Sequence, residues 1–151
     1  MPAGPGAEIR RLLQDIYVQE LVLSLYRVYA ARLRDAGGRR LIENYLAAET
    51  DRRQRIEKYL SGHGTPASPA VRFLFAAAGN AYGRATSVLG TRVMLRIALS
   101  ASRRASRQAC ARLGDPANPE LVYLSTLRAR NEGELLDALS QHLIDTAARR
   151  G

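Results

Sequence analysis

The sequence predicts an all-α protein, a single four-helix bundle. Three observations predict it: Ala, Leu and Arg dominate a composition poor in β-branched residues, apolar residues recur near helical spacing over most of the chain, and loop-type clusters punctuate it at only a few points. With 151 residues, 46% of them hydrophobic, the chain can bury one sizeable core. The sequence assigns residues 1–7 (Pro/Gly-rich) to a disordered N-terminus and 8–148 to the bundle.

The first helix is expected from about Glu8 to Arg34, with Ile9, Leu13, Ile16, Tyr17, Leu23 and Val28 near one period and Gly37-Gly38 as its stop. A second is expected from about Arg39 to Leu60. Its stripe reads Ile42, Tyr45, Leu46, Glu49, Arg53, Ile56, Leu60, and it carries two charges where a core face wants none. Ser61 to Pro69 has loop composition. Ala70 to Leu113 is too long for one helix of a compact bundle, since at 1.5 Å per residue it would exceed roughly 60 Å. Gly79, Gly83 and Gly90 offer break points, so a short helix near Val71–Tyr82 and a core helix near Ala85–Leu113 are expected. Gly114 to Pro119 is the next turn, and Pro119 suits the first turn of a last helix running to about Ala148. The extra segment between two helical hairpins makes one long crossover, the ferritin-like arrangement.

Charge and cysteine usage bound the function. The net charge is +9, and every basic residue except Lys58 is arginine, which implies attraction to polyanions. One cysteine, Cys110, allows neither an intramolecular disulfide nor a cysteine metal cluster, and a buried inert thiol is expected there. The N-terminus lacks the order of a signal peptide, and no run of about 18 apolar residues is present. A cytoplasmic setting, at the inner face of a membrane, is the expectation. His63 is expected in a solvated loop and His142 in a polar contact at a helix end, neither with zinc spacing. No phosphate loop, nucleophile elbow or dinucleotide fingerprint occurs.

Glu20 and Glu49 sit among apolar residues, where a carboxylate must be paired, protonated or metal-bound. Di-iron bundles place such carboxylates on facing helices, with Glu-x-x-His on two of them. Here the spacing Glu49-Thr-Asp-Arg52 puts an arginine where that histidine would stand, and a guanidinium cannot ligate a cation. Internal pairing of Arg52 or Arg53 with Glu49 or Glu20 is the alternative expectation.

Three stretches, QELVLSLYRVYAARL, AAETDRRQRIEKYL and AAAGNAYGRATSVLGTRVMLRIALSA, resemble in order and spacing the demethoxyubiquinone hydroxylases, ferritin-like di-iron enzymes that modify quinones. The resemblance covers about residues 8–145. It implies Glu20 and Glu49 as the first two carboxylate ligands, Arg52 in place of a histidine and Ser102 in place of the third carboxylate. In LRARNEGELLDAL it implies Asn131 and Glu134 at the last Glu-x-x-His, or Glu132 and Leu135 with a shift of one. What remains resembles a dismantled site in a pseudoenzyme: no cofactor, no catalytic residue and no metal ligands, or, if a metal binds, Glu20, Glu49 and Glu134. The expected role is non-catalytic, binding a quinone or isoprenoid lipid or serving a membrane-associated partner. The alternatives are a quinone hydroxylase-like oxygenase whose altered di-iron site uses Glu20, Glu49 and Glu132 or Glu134, and a basic nucleic-acid-binding bundle.

Two surfaces are singled out. Phe73, Leu74, Phe75 and Tyr82 are expected to meet lipid, line a hydrophobic ligand's entrance or form a homodimer interface. Arg92, Arg96, Arg103 and Arg107 share one face of the third core helix. They read as a solvated face or as a contact to an anionic membrane. Nucleic acid is disfavoured, because aromatic residues do not interleave with the basic ones.

Overall fold

A computed structural model of the chain describes residues 4–111 and 118–151. Those residues form five α-helices: α1 (Pro5–Arg32), α2 (Ala36–Gly62), α3 (Pro69–Ser87), α4 (Thr91–Ala111) and α5 (Pro119–Ala148). Local chemistry explains the starts. Ser68 accepts from the Val71 amide and is followed by Pro69; Asn118 accepts from the Glu120 amide and is followed by Pro119. A polar cap satisfies an amide that lacks a helical partner, and proline's fixed φ suits the first turn. Asp35 caps α2 through the Gly38 amide at 3.2 Å.

Several boundaries differ from expectation. α1 begins at Pro5 rather than Glu8, so 5–7 are helical. Gly37 and Gly38 do not terminate α1; they lie in the first turn of α2, where Gly38 is buried and a Cβ on it would meet Leu95 at 3.0 Å. The break between α3 and α4 falls at Val88–Gly90, past Gly79 and Gly83. Gly90 takes a φ of +98°, open to glycine, and makes the turn. Gly79 and Gly83 instead bury themselves inside α3, where a Cβ would strike the Leu21 backbone or, at 3.0 Å, Val28. The expected end of the core helix at Leu113 and most of the Gly114–Pro119 turn lie outside the described residues.

α1, α2, α5 and α4 form a ring in which α1 packs on α2, α2 on α5 and α5 on α4, and α3 packs along the outside of α1. The fourth seam of the ring, α1 against α4, is the thinnest. α3 runs alongside α1 in the same direction, so it carries the chain the length of the bundle before α4 descends. Tyr17 faces Phe75, and Tyr29 bonds Thr86 at 2.6 Å.

The apolar core comes in two parts. One gathers Leu23, Tyr26, Tyr29, Ile42, Tyr45, Met94, Leu95, Leu135 and Leu139; the other gathers Leu12, Ile16, Ile56, Leu60 and Leu124. Between them the interior is polar. Among the described residues no helix is long and apolar enough to cross a membrane.

Candidate functional site

The polar layer is built from one or two residues on each ring helix: Gln19 and Glu20 from α1, Glu49 and Arg52 from α2, Ser102 from α4, Asn131 and Glu132 from α5. All are buried. Helical spacing explains the set, since Ile16 and Leu23 continue the α1 stripe above and below Gln19 and Glu20, as Tyr45 and Ile56 do around Glu49 and Arg52 on α2.

Glu49 is the hub. The Gln19 amide donates to its Oε2, the Asn131 amide donates to its Oε1 at 2.9 Å, and Arg52 Nη1 lies 3.6 Å from Oε2. Arg52 also donates through Nε to the Leu124 carbonyl at 3.2 Å, which pins the guanidinium against α5. Because both amides turn their donors to Glu49, Gln19 Oε1 and Asn131 Oδ1 are left buried without a donor.

Glu20 faces the other way, toward α3. Arg53 Nη1 reaches its Oε1 at 2.5 Å and Arg72 Nη2 reaches the same oxygen at 2.7 Å. Sequence reading places Arg53 on the core stripe of α2. The buried position is Arg52, and Arg53, at the edge, turns along α1 to Glu20.

Glu132 is the third buried carboxylate. Tyr45 donates to its Oε1 at 2.5 Å. Burial, helped by the Glu49 charge, pushes its pKa up to about 7, against the hydrogen bond from Tyr45 and the charges of Arg128 and Arg52. Burial also raises the Tyr45 and Tyr26 hydroxyls, with Glu132 adding to both; Ser102 lies beside Tyr26. Glu134 does not join them. Its side chain is 71% exposed and pairs loosely with Arg130, whereas Asn131, Glu132 and Leu135 are all buried. Helical phase explains the difference, since positions 131, 132, 135 and 139 point inward and 134 points out.

The layer is reached from outside through a cavity of about 340 Å³ at the thin α1–α4 seam. Val18, Val22, Tyr26 and Ala105 form its apolar walls; Gln19, Glu49, Arg52 and Glu132 line its polar part; Arg104 and Arg128 also line it.

These donors do not fit a two-metal centre. Glu20 is held by Arg53 and Arg72 and Glu49 by two amides and Arg52, Arg52 and Ser102 offer no anionic oxygen, and among the described residues no three His, Cys, Asp or Glu side chains gather closely enough to hold a metal ion. No family model matches the chain, and no curated protein or solved structure is similar to it at a significant level.

The other expected residues are distributed as follows. Phe73, Leu74 and Tyr82 are exposed on the outer face of α3, while Phe75 turns inward to stack on Tyr17 at 5.8 Å and so leaves the exposed set. Arg92, Arg96, Arg103 and Arg107 are all exposed on α4. His63 is exposed and packs against the Tyr59 ring; His142 Nε2 meets Asp35 Oδ2 at 2.5 Å, a helix-end contact. Cys110 is exposed rather than buried. Sequence reasoning missed Gln19, Glu57 and Arg72 as partners of the layer. The signal available for Gln19 was its place between Ile16 and Leu23 on the apolar stripe; nothing comparable marks Arg72, which reaches in from the outer helix.

Proposed function

We propose that the chain is a ferritin-like relative of the demethoxyubiquinone hydroxylases in which internal charge pairing has replaced metal, and that it serves as a non-catalytic binder of a quinone-like or isoprenoid ligand. One observation carries the reading. The carboxylates at the two positions that resemble ligands are neutralised from within, Glu20 by Arg53 and Arg72 and Glu49 by Arg52 and two amides. A buried carboxylate so satisfied has no need of a cation. The cavity at the α1–α4 seam supports the binding role: its volume suits a ring-sized group, Val18, Val22, Tyr26 and Ala105 give it an apolar side, and its more numerous polar residues offer donors and acceptors to ring oxygens. The bare outer face of α3, with Phe73 at 72% and Leu74 at 65% exposure, supports attachment to a lipid surface or to a partner that presents the ligand.

The test has two arms. Protein reconstituted anaerobically with ferrous iron and desalted should retain negligible iron by elemental analysis; two irons per chain would overturn the reading in favour of an oxygenase built on Glu20, Glu49 and Glu132. Calorimetric titration with a short-tailed benzoquinone should show stoichiometric binding that Ala105→Trp, which fills the cavity, abolishes. Binding unchanged by that substitution, or no binding at all, counts against it.

A further inference from the structure

A second recess lies at the far end of the bundle from the Ser61–Ser68 loop, where α1 hands over to α2, α4 begins and α5 ends. It is a groove of about 590 Å³ between α4 and α5. Its floor is apolar, made by Leu95 and Leu99 of α4 and Leu143 of α5. Five arginines from three separate stretches of chain line it: Arg34 after α1, Arg92 and Arg96 on the first turns of α4, and Arg149 and Arg150 after α5. All five are exposed.

Their charge is uncompensated. None of the five is in an ion pair among the described residues; other exposed arginines such as Arg103 and Arg107 are unpaired too, and what distinguishes the five is that they gather around one recess. The one carboxylate in the groove, Asp35, is already engaged by His142 and by the Gly38 amide at the start of α2. Collecting five like charges around one recess raises their mutual repulsion, and an anion seated among them relieves it. Guanidinium groups offer paired N–H donors whose geometry matches phosphate oxygens. The leucine floor adds a requirement that inorganic phosphate does not meet: the ligand must have something apolar to lay on it.

We propose that this groove binds an amphiphilic phosphate, with the phosphate among the arginines and the adjoining apolar chain on Leu95, Leu99 and Leu143. The inference is independent of the interior polar layer. It narrows the basic face of α4 to its first two arginines, because Arg103 and Arg107 are further along the helix and do not line the groove.

Two probes separate a free ligand from a lipid headgroup: dodecyl phosphate, titrated calorimetrically below its micelle concentration, and phosphatidylcholine vesicles with and without phosphatidic acid, followed by sedimentation. The variants are the pairs R92Q/R96Q, in the groove, and R103Q/R107Q, on the same helix outside it. They carry the same net charge, and all four positions are exposed, so the fold should survive in both; thermal melts check this. The groove pair should weaken binding of the responding probe at least about tenfold, as expected for lost charge-assisted hydrogen bonds. The control pair should stay within about twofold, as surface charges away from the ligand do. A response to dodecyl phosphate identifies a soluble amphiphile, and a response confined to phosphatidic acid vesicles identifies the headgroup. The proposal is overturned if neither probe binds, or if both pairs weaken binding equally, which is the behaviour of diffuse charge.

Discussion

Arg72 of the outer helix α3 joins Glu20 of α1 with Nη2 2.7 Å from Oε1, and the same guanidinium holds Glu57 of α2 through Nη1 at 2.7 Å. One side chain therefore ties three helices, and α3 is fastened to the bundle by charge as well as by packing. Arg72 shares Glu20 with Arg53, so either arginine alone still leaves the buried carboxylate a partner. Arg72→Met should cost about 1–2 kcal/mol, discounted for the partial exposure of the guanidinium. The double variant with Arg53→Met should cost more than the sum of the two singles, because Glu20 is then buried uncompensated, and adding Glu20→Met should recover much of the loss. Urea unfolding of the set measures the coupling; strict additivity would show that Glu20 does not depend on both.

Glycine at 79 is required by contact rather than by conformation. A Cβ there would overlap the Leu21 carbonyl, which is backbone and cannot rotate away. Gly79→Ala should destabilise by roughly 1–3 kcal/mol, the cost of overpacking, and lower Tm by several degrees in a chain of this size. Gly133, in the interior of α5 with open space around its Cα, should behave oppositely: Gly133→Ala should stabilise by about 0.5–1 kcal/mol through lower unfolded-state entropy. A thermal melt of each reads both signs.

Glu132 makes stability depend on pH near neutrality. Its pKa in the folded protein is raised to about 7 from the ordinary 4.5, so the folded state holds a proton that the unfolded state has released across that window. Its contribution is complete below the unfolded value and is lost as pH rises through about 7, amounting to a few kcal/mol at most. Glu132→Gln keeps an acceptor for Tyr45 and removes the titration. The variant's Tm should therefore decline less than the parent's between pH 5 and 8; parallel profiles would refute the assignment.

Asp35 gives the opposite slope. Partial burial acts to raise its pKa, but hydrogen bonds from His142 and the Gly38 and Gly37 amides outweigh it and hold the carboxyl below its ordinary value. That contribution is present above the unfolded value and is lost as pH falls through the depressed one. Asp35→Ala removes the α2 cap together with the His142 contact and should cost about 1–2 kcal/mol at pH 6. Chemical denaturation of the two proteins at pH 6 gives the difference.

Much of this was legible in the sequence where one element decides its own fate. Helices α1, α2 and α5 follow from apolar period, with Pro119 marking the start of α5, and the buried Glu20 and Glu49 follow from their apolar neighbours. What failed needed knowledge of a second element. Gly79 and Gly83 look like breaks until α1 is seen lying against them, and Gly37-Gly38 looks like a stop until Leu95 is seen to fill the space above Gly38. The choice between Arg52 and Arg53 turns on one residue of helical phase, which a stripe read at mixed spacings of three and four does not resolve. Glu132 against Glu134 is the same ambiguity on α5. Phe75 belongs with Tyr17 because α3 docks on α1, which no pattern within α3 reveals.

The thin α1–α4 seam gives the bundle the anatomy of a book. Its spine is the α2–α5 contact, its covers are α1 with α3 clasped to it on one side and α4 on the other, and the Val88–Gly90 link joins the covers at one corner. Parting the covers would break the thinnest seam of the ring while uncovering Tyr26 and Tyr29 of α1 and Met94 and Leu95 of α4, so local opening is biased to this side and still costs apolar burial. The polar layer would be uncovered with them, and amide protons along α4 should exchange faster than those of α1, which α3 shields.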